Sequence, residues 1–393
     1  MIKIDNNEIQ QLRIVIFIFL FSVIPLLLFS QKIRSVEQDV IFLPDIEYKR
    51  LDTTTAHPSL GELIVLDTNF AILHLGFTEI SILDLHTGLI TRSLDMDLLQ
   101  QIISDTIAGH DIDSLKIRET SDYESVRVGQ HFPILFNRIK KYDEGSFASL
   151  TFTGVSYYDD YDELRRMLLP GVLVFDNNLN ILDFIPFKKN QDLRLERYMD
   201  LGGFYLDHDL LITEPIDTLY NHHMYVRYKR ALDGFYHLAD TFNHWSAFKS
   251  YGQETVIRDQ FIAREDSILL PTKHNLIVFS DWNSEGYEKA WPIEENEYIQ
   301  QINPMLNYHW YAANVYLDLS EKDGGLHQHS LHQLVVFNAD FTEKWLITNY
   351  PVLDITINSI SIAENKIYVL AFNRKKKEFI VLKYTLPDNF TNR

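Results

Sequence analysis

Cysteine is absent from all 393 residues. That removes disulfides, cysteine-ligated zinc, thiol nucleophiles and a lipid-bearing cysteine behind a leader, and it is compatible with any redox compartment. Positive charge is also scarce. Lys and Arg number 36 against 55 Asp and Glu, a formal net charge of −19. A field of that sign repels phosphate backbones and anionic lipid surfaces. It argues against a nucleic-acid partner and limits membrane contact to the N-terminal segment. The chain has no GxSxG nucleophile elbow, HExxH helix, P-loop or GxGxxG fingerprint. With no nucleophile beside its base, the sequence favours a non-catalytic role.

What is present points to β structure. Hydrophobic residues make up 46% and aromatics 13%, with 21 Tyr and 25 Phe, a composition suited to pleated, covered strands. One long apolar run exists, residues 14–29, interrupted by Ser22 and Pro25. It falls between a signal-peptide core of about 7–15 residues and a membrane helix of about 20. Residues 1–30 therefore read as an N-terminal hydrophobic helix, either a signal peptide cleaved after Ser30 or a retained anchor. Lys32, Arg34, Lys49 and Arg50 follow the run and, in a retained anchor, oppose the positive-inside rule. Either version implies an exported protein, in the periplasm or anchored at the cell envelope. Residues 31–60 read as a linker, 61–386 as the folded domain and 387–393 as a C-terminal tail.

The folded part is organised around its last unit, ISIAENKIYVLAFNRKKKEFIVLKYTL at 360–386. Three β-rich runs alternate with short polar turns. Both faces of the run at 367–372 are apolar, which requires a sheet covered on both sides. The basic turn at 374–377 reads as a solvated hairpin tip. Weaker copies lie upstream: Val172 to Ile185 around the turn at 177–180, Leu276 to Trp291, and Leu334 to Trp345. Their starts lie roughly 100 and 60 residues apart, with room for another unit at 204–213 and 225–240. The implied period of roughly 40–50 residues with several strands each points to an all-β propeller, a two-sheet sandwich being the alternative. The count of such units predicts six blades. Residues 97–108 break the code. Leu98, Leu99, Ile102, Ile103 and Ile107 form one helical face, Asp95 or Asp97 caps the start and Gly109 the end. Residues 164–169 read as a second, short helix stopped by Pro170 and Gly171.

The phrases VLVFDNNLNILDFI, LHQLVVFNADFTEKWLI and ENKIYVLAFNRKKKEFIVLKYTL resemble blades of the TolB-like six-bladed propellers, and among them exported propellers of Bacteroidetes bacteria that often follow a signal peptide. The resemblance covers most of the chain after residue 60. It implies an envelope location and a binding role, and it supplies no catalytic residue. The cysteine that commonly carries lipid in that family is missing here.

Several residue groups are candidates for chemistry. His327, His329 and His332 lie within six residues after Gly324 and Gly325, a set that suits zinc or another borderline divalent metal. On a continuous strand His327 and His329 share a face and His332 takes the other. The three converge only if the strand starts after His329. Asp159, Asp160, Asp162 and Glu163 form an acidic loop without the glycine and spaced bidentate acid of a calcium loop. His222 and His223 are a weaker pair. Trp245, Trp282 and Trp310, near His, Asn or Tyr, suit stacking on a sugar ring at a propeller mouth. Trp291 and Trp345 share that pattern, and inter-blade core is the competing role for all five. The function expected is a binding or scaffold module recognising an envelope protein or glycan at one propeller face. The alternative is a carbohydrate-active or metal-assisted hydrolase or lyase with its site in the channel.

Overall fold

The computed structural model describes residues 37–43, 61–76, 79–110, 118–119, 134–158, 164–189, 200–205, 208–217, 222–242, 262–263, 267–272, 275–281, 284, 286–294, 297–305, 309–318, 330–348, 355–373 and 375–386. The strands are β1 (Glu37–Phe42), then β2 (Gly61–Val65), β3 (Phe70–Leu75), β4 (Glu79–Asp84) and β5 (Ile90–Ser93) of blade 1. Helix α1 (Met96–Ala108) and β6 (Arg118–Glu119) follow. Blade 2 is β7 (Leu135–Asp143), β8 (Ser146–Tyr158), β9 (Leu164–Asp176) and β10 (Ile181–Pro186). Blade 3 is β11 (Asp200–Tyr205), β12 (Asp209–Asp217), β13 (His222–Arg230) and β14 (Tyr236–Phe242). Blade 4 is β15 (Ile262–Ala263), β16 (Ile268–Pro271), β17 (Asn275–Phe279) and β18 (Tyr287–Ala290). Blade 5 is β19 (Glu297–Met305), β20 (Trp310–Asp318), β21 (Ser330–Asn338) and β22 (Lys344–Thr348). Blade 6 is β23 (Ile355–Ala363), β24 (Lys366–Asn373) and β25 (Glu378–Thr385), completed by β1.

These six antiparallel sheets form a six-bladed propeller. Successive blades touch through their first strands, β2 with β23, β19 with β23, β7 with β11 and β11 with β15, so the first strands ring the central channel. Five wedges between blades are filled by separate apolar clusters among the described residues. In blade 6, Ile367 to Phe372 are buried without a break, as expected for a strand covered on both faces. Lys375, Lys376 and Lys377 are exposed at the hairpin tip.

The ring closes through the stretch read as a linker. β1 pairs with β25 from Glu37↔Thr385 to Phe42↔Ile380 and forms the outer strand of blade 6. Lys383 Nζ reinforces the joint with Asp39 Oδ2 at 3.1 Å. Gly88 lies against this strand. A Cβ there would fall 1.8 Å from the Phe42 carbonyl oxygen, and its φ of +73° is one that glycine adopts without strain.

Helix α1 has the expected boundaries. Asp95 Oδ1 accepts the Leu98 N–H at 2.9 Å, and the Gly109 N–H returns to the Asp105 carbonyl. Leu99 and Ile103 fill the wedge between blades 1 and 2, while Leu98 is exposed. The second helix is not formed. Residues 164–169 belong to β9, which pairs with β8 over thirteen consecutive positions from Ser146↔Asp176 to Tyr158↔Leu164. Their helix-forming side chains are overridden by a ladder with the aromatic and β-branched residues opposite. Pro170 lies just beyond the last residue of β9 that pairs with β10, Gly171, and a sheet edge tolerates proline.

Candidate functional site at the channel mouth

Antiparallel four-stranded blades put two kinds of connection on each face. One face carries the turns between first and second and between third and fourth strands. The other carries second-to-third turns and the crossovers between blades. The first face is built of short turns closed by their own side chains. Asp67 accepts the Asn69 and Phe70 N–H groups, Asp84 those of His86 and Thr87, Asp176 those of Asn178 and Asn180, and Asn338 those of Thr342 and Glu343. The Thr87 and then the His86 N–H hold the Asp84 carboxyl below the usual carboxylate range. Leu179 and Phe341, at φ of 60° and 62°, turn their side chains back into the wedges. This face satisfies its own polar groups. The opposite face carries the crossovers at 94–134, 187–199, 243–261, 291–296 and 349–354 and the second-to-third connections, of which those at 159–163 and 319–329 are the longest and those at 76–78, 272–274 and 374–377 are short.

The first strands are distorted at the end nearest that second face. Register shifts fall at Asn137 and Arg138 in β7, Gly202 in β11, Gln300 in β19 and Asn358 in β23. Each is two or three residues into its strand, so four of the six blades bulge at one height. A bulge re-aims a side chain out of the ladder and is common beside binding sites. In sequence each bulge coincides with a polar or small doublet: Asn137-Arg138, Gly202-Gly203, Gln300-Gln301 and Asn358-Ser359. Such a doublet breaks a period of two, and it is the signal by which sequence reasoning could have found this ring.

Neighbouring first strands are also stitched by polar side chains. Gln301 Oε1 accepts the Ile360 N–H at 3.1 Å, and the Asn303 amide donates to the Ile360 carbonyl. Ser359 Oγ accepts the Leu63 N–H at 3.1 Å, and Ser361 Oγ that of Val65 at 2.9 Å. Glu62 Oε2 accepts the Ile139 N–H at 2.7 Å. These bonds join blades 5 to 6, 6 to 1 and 1 to 2, and they fix the mouth as a preformed rim.

His74 stands behind that rim. It pairs in register with Glu62 on one side and Ile80 on the other, and its ring meets Phe136 edge-on at 6.4 Å. Its Nε2 is sealed from solvent without a hydrogen-bond partner among the described residues. Burial, and then the charge of Arg138, lower its pKa to about 4, so the imidazole is neutral at physiological pH.

The sequence-predicted residues are divided by the structure. β21 begins at Ser330, after His329, which is the condition the metal reading required. His332, however, is buried in the wedge between blades 5 and 6, with Nδ1 at 3.2 Å from Asn314 Oδ1. His327 and His329 lie outside the described residues, as do the acids at 159–163, Trp245 and Trp282. Among the described residues no group of three His, Asp or Glu side chains is placed to hold a metal. His222 and His223 open β13. Trp310 is a correction. It starts β20 at the short-turn face and is buried against Trp345 with ring centroids 5.5 Å apart. Trp291 is buried as well, its indole N–H donating to the Thr272 carbonyl at 2.8 Å. High aromatic density here builds wedges between blades, which are wide at the rim and need large side chains. Among the described residues no helix is long and apolar enough to cross a membrane, and residues 1–36 are not among them.

No family model matches the chain, and no curated protein matches it. Among solved structures it is similar to one of U3-55K at 12% identity, covering 89% of this chain and 98% of that one with a TM-score of 0.45. It is also similar to a Trypanosoma rangeli sialidase in complex with sialic acid at 8% identity, covering 85% of this chain and 55% of that one with a TM-score of 0.42. A computationally designed protein, Ika8, is similar at 9% identity, covering 84% of this chain and 98% of that one with a TM-score of 0.34.

Proposed function

We propose that this chain is a non-catalytic binding module whose ligand docks in the channel mouth on the face of long connections. One observation carries the reading: polar or glycine bulges stand at a single height on four of six innermost strands, on the face that carries the crossovers between blades. Binding residues commonly sit on loops held by a rigid scaffold, and the stitched first strands supply the rigidity. The phrases that resemble TolB-like blades, and the apolar run at 14–29, support an exported, envelope-located protein. The N-terminal mass of the native product tests that placement, and a full-length protein in the cytoplasmic fraction would sink it.

The binding reading is tested with the full chain against an envelope extract and a glycan array, run beside a panel of hydrolase substrates. Gln300→Arg, which places a bulky charge on the rim, should abolish retention. Asp340→Lys, on the short-turn face, should leave it intact. Equal retention by both variants refutes the assignment of the face. Turnover that disappears with a single rim substitution replaces the binding reading with the hydrolase or lyase alternative.

A further inference from the structure

We infer that the sector of the mouth between blades 5 and 6 is a subsite for a neutral sugar ring. This rests on the binding reading above and narrows it to a ligand class.

Tyr298, Tyr316 and His332 occupy one row across β19, β20 and β21, with Tyr298 opposite Tyr316 and Tyr316 opposite His332. The two tyrosine rings are 6.4 Å apart at 40°, and the imidazole meets Tyr316 edge-on at 5.6 Å. Both tyrosines are half-buried, and the row stands at the end of blade 5 that faces the long connections. Directly opposed residues share a face, as do residues two apart along one strand. The row therefore faces blade 6 together with Asn314, and deeper on that face lie Ala312 and Trp310.

The wedge changes character along its depth. From Trp310 to Leu334 it is apolar and packed against Ile357, Ile360 and Val369 of blade 6. Above that level it becomes amide and aromatic. Asn314 Oδ1 faces His332 Nδ1 at 3.2 Å, and its Nδ2 donates to Gln300 Oε1 at 3.2 Å and to the Ile357 carbonyl at 3.4 Å. Gln300 is the bulged, exposed residue of β19. In the neighbouring wedge between blades 4 and 5, Tyr311, Ala313, Val315, Val335 and Phe337 are buried along the matching strands, and a single half-buried amide, Gln333, stands opposite Val315. Stability alone is served by the apolar version.

Aromatic rings and amides line this row and select the ligand. The C–H face of a sugar ring packs on an aromatic side chain, and its hydroxyls, each donor and acceptor, match amides that are also both. A phosphate or sulfate finds no lysine or arginine in this row and meets the repulsion of a chain of net charge −19. An apolar peptide side chain would cover the Gln300 Nε2 donors without supplying an acceptor.

The probe is a panel of neutral oligosaccharides built from glucose, mannose, xylose and N-acetylglucosamine, titrated to millimolar concentration by calorimetry against the full chain. At least one member should bind. Tyr298→Ala and Gln300→Ala should each weaken it by about tenfold, Tyr298→Phe should restore it, and the thermal midpoints should match the parent. Absence of binding across the panel, or affinity unchanged in Tyr298→Ala, overturns the sugar assignment. If envelope material is still retained and still lost in Gln300→Arg, the sugar fails alone. If retention is indifferent to Gln300→Arg, the wider reading fails with it.

Discussion

Acid should loosen this propeller at one seam, and His74 sets the size of the effect. The folded state holds its imidazole neutral down to about pH 4, against an ordinary 6.5 in the unfolded chain. Burial is the larger cause and Arg138 the second. Phe136 faces the ring from β7, Ile80 from β4 and Glu62 from β2. A depressed histidine pKa means that the unfolded chain takes up the proton first. The stabilising contribution is therefore complete above pH 6.5 and is lost as pH falls toward 4. Each tenfold difference in proton affinity between the folded and unfolded chain corresponds to about 1.4 kcal/mol. The loss should reach about 2 kcal/mol at pH 5 and about 3 kcal/mol near pH 4. Urea unfolding of the parent and of His74→Gln from pH 7.5 to 4.5 isolates this contribution from the other 14 histidines, since the chain has 15 in all. The stability difference between the two should move by about 2 kcal/mol in favour of the variant between pH 7 and 5. A difference that stays flat over that range refutes the argument.

Other perturbations follow from the same contacts. Relative to a chain shortened by residues 1–36, removing 1–42 deletes the closing strand and should cost about 3–6 kcal/mol with a rise in aggregation. Gly88→Ala should destabilise by about 2–4 kcal/mol in a chemical melt, through its clash with the Phe42 carbonyl and its positive φ. Asp95→Ala should lower stability by about 1 kcal/mol by removing the cap of α1. Trp310→Ala should cost about 3–5 kcal/mol in urea as a wedge residue; loss of ligand binding with full stability would instead return Trp310 to the mouth.

The blades are legible where strands alternate cleanly and turn residues mark the ends, as at 172–185 and 360–386. The caps of α1 are legible because Asp95 and Gly109 act within one turn of chain. What escapes is non-local. Glu37–Phe42 has an ordinary strand pattern, but its partner β25 is more than three hundred residues away, and six residues beside a polar stretch read as linker. Residues 164–169 have helical propensity, and only the ladder with β8 overrides it. The bulged first strands are hidden because a bulge destroys the period by which strands are recognised. The candidate site sits on those bulges, so the residues nearest the proposed ligand are the least readable. His332 stands out in sequence beside His327 and His329, whereas its neighbours in space, Asn314 and Tyr316, lie one strand away.

The position of β1 also sets a schedule for folding. Blades 1 to 5 each draw their four strands from one continuous stretch, so each sheet is complete as soon as that stretch is available. Blade 6 is different, because its outermost strand is the first to be made and the strand it pairs with is the last. Until residues 378–385 emerge, β1 has no partner and the circle stays an open arc. Synthesis delivers the chain at about 5–20 residues per second, so the early blades wait for roughly half a minute before the ring can lock. Throughout that interval the polypeptide can still be threaded or unwound from its N-terminal end, and the final eight-residue strand converts it into a closed object.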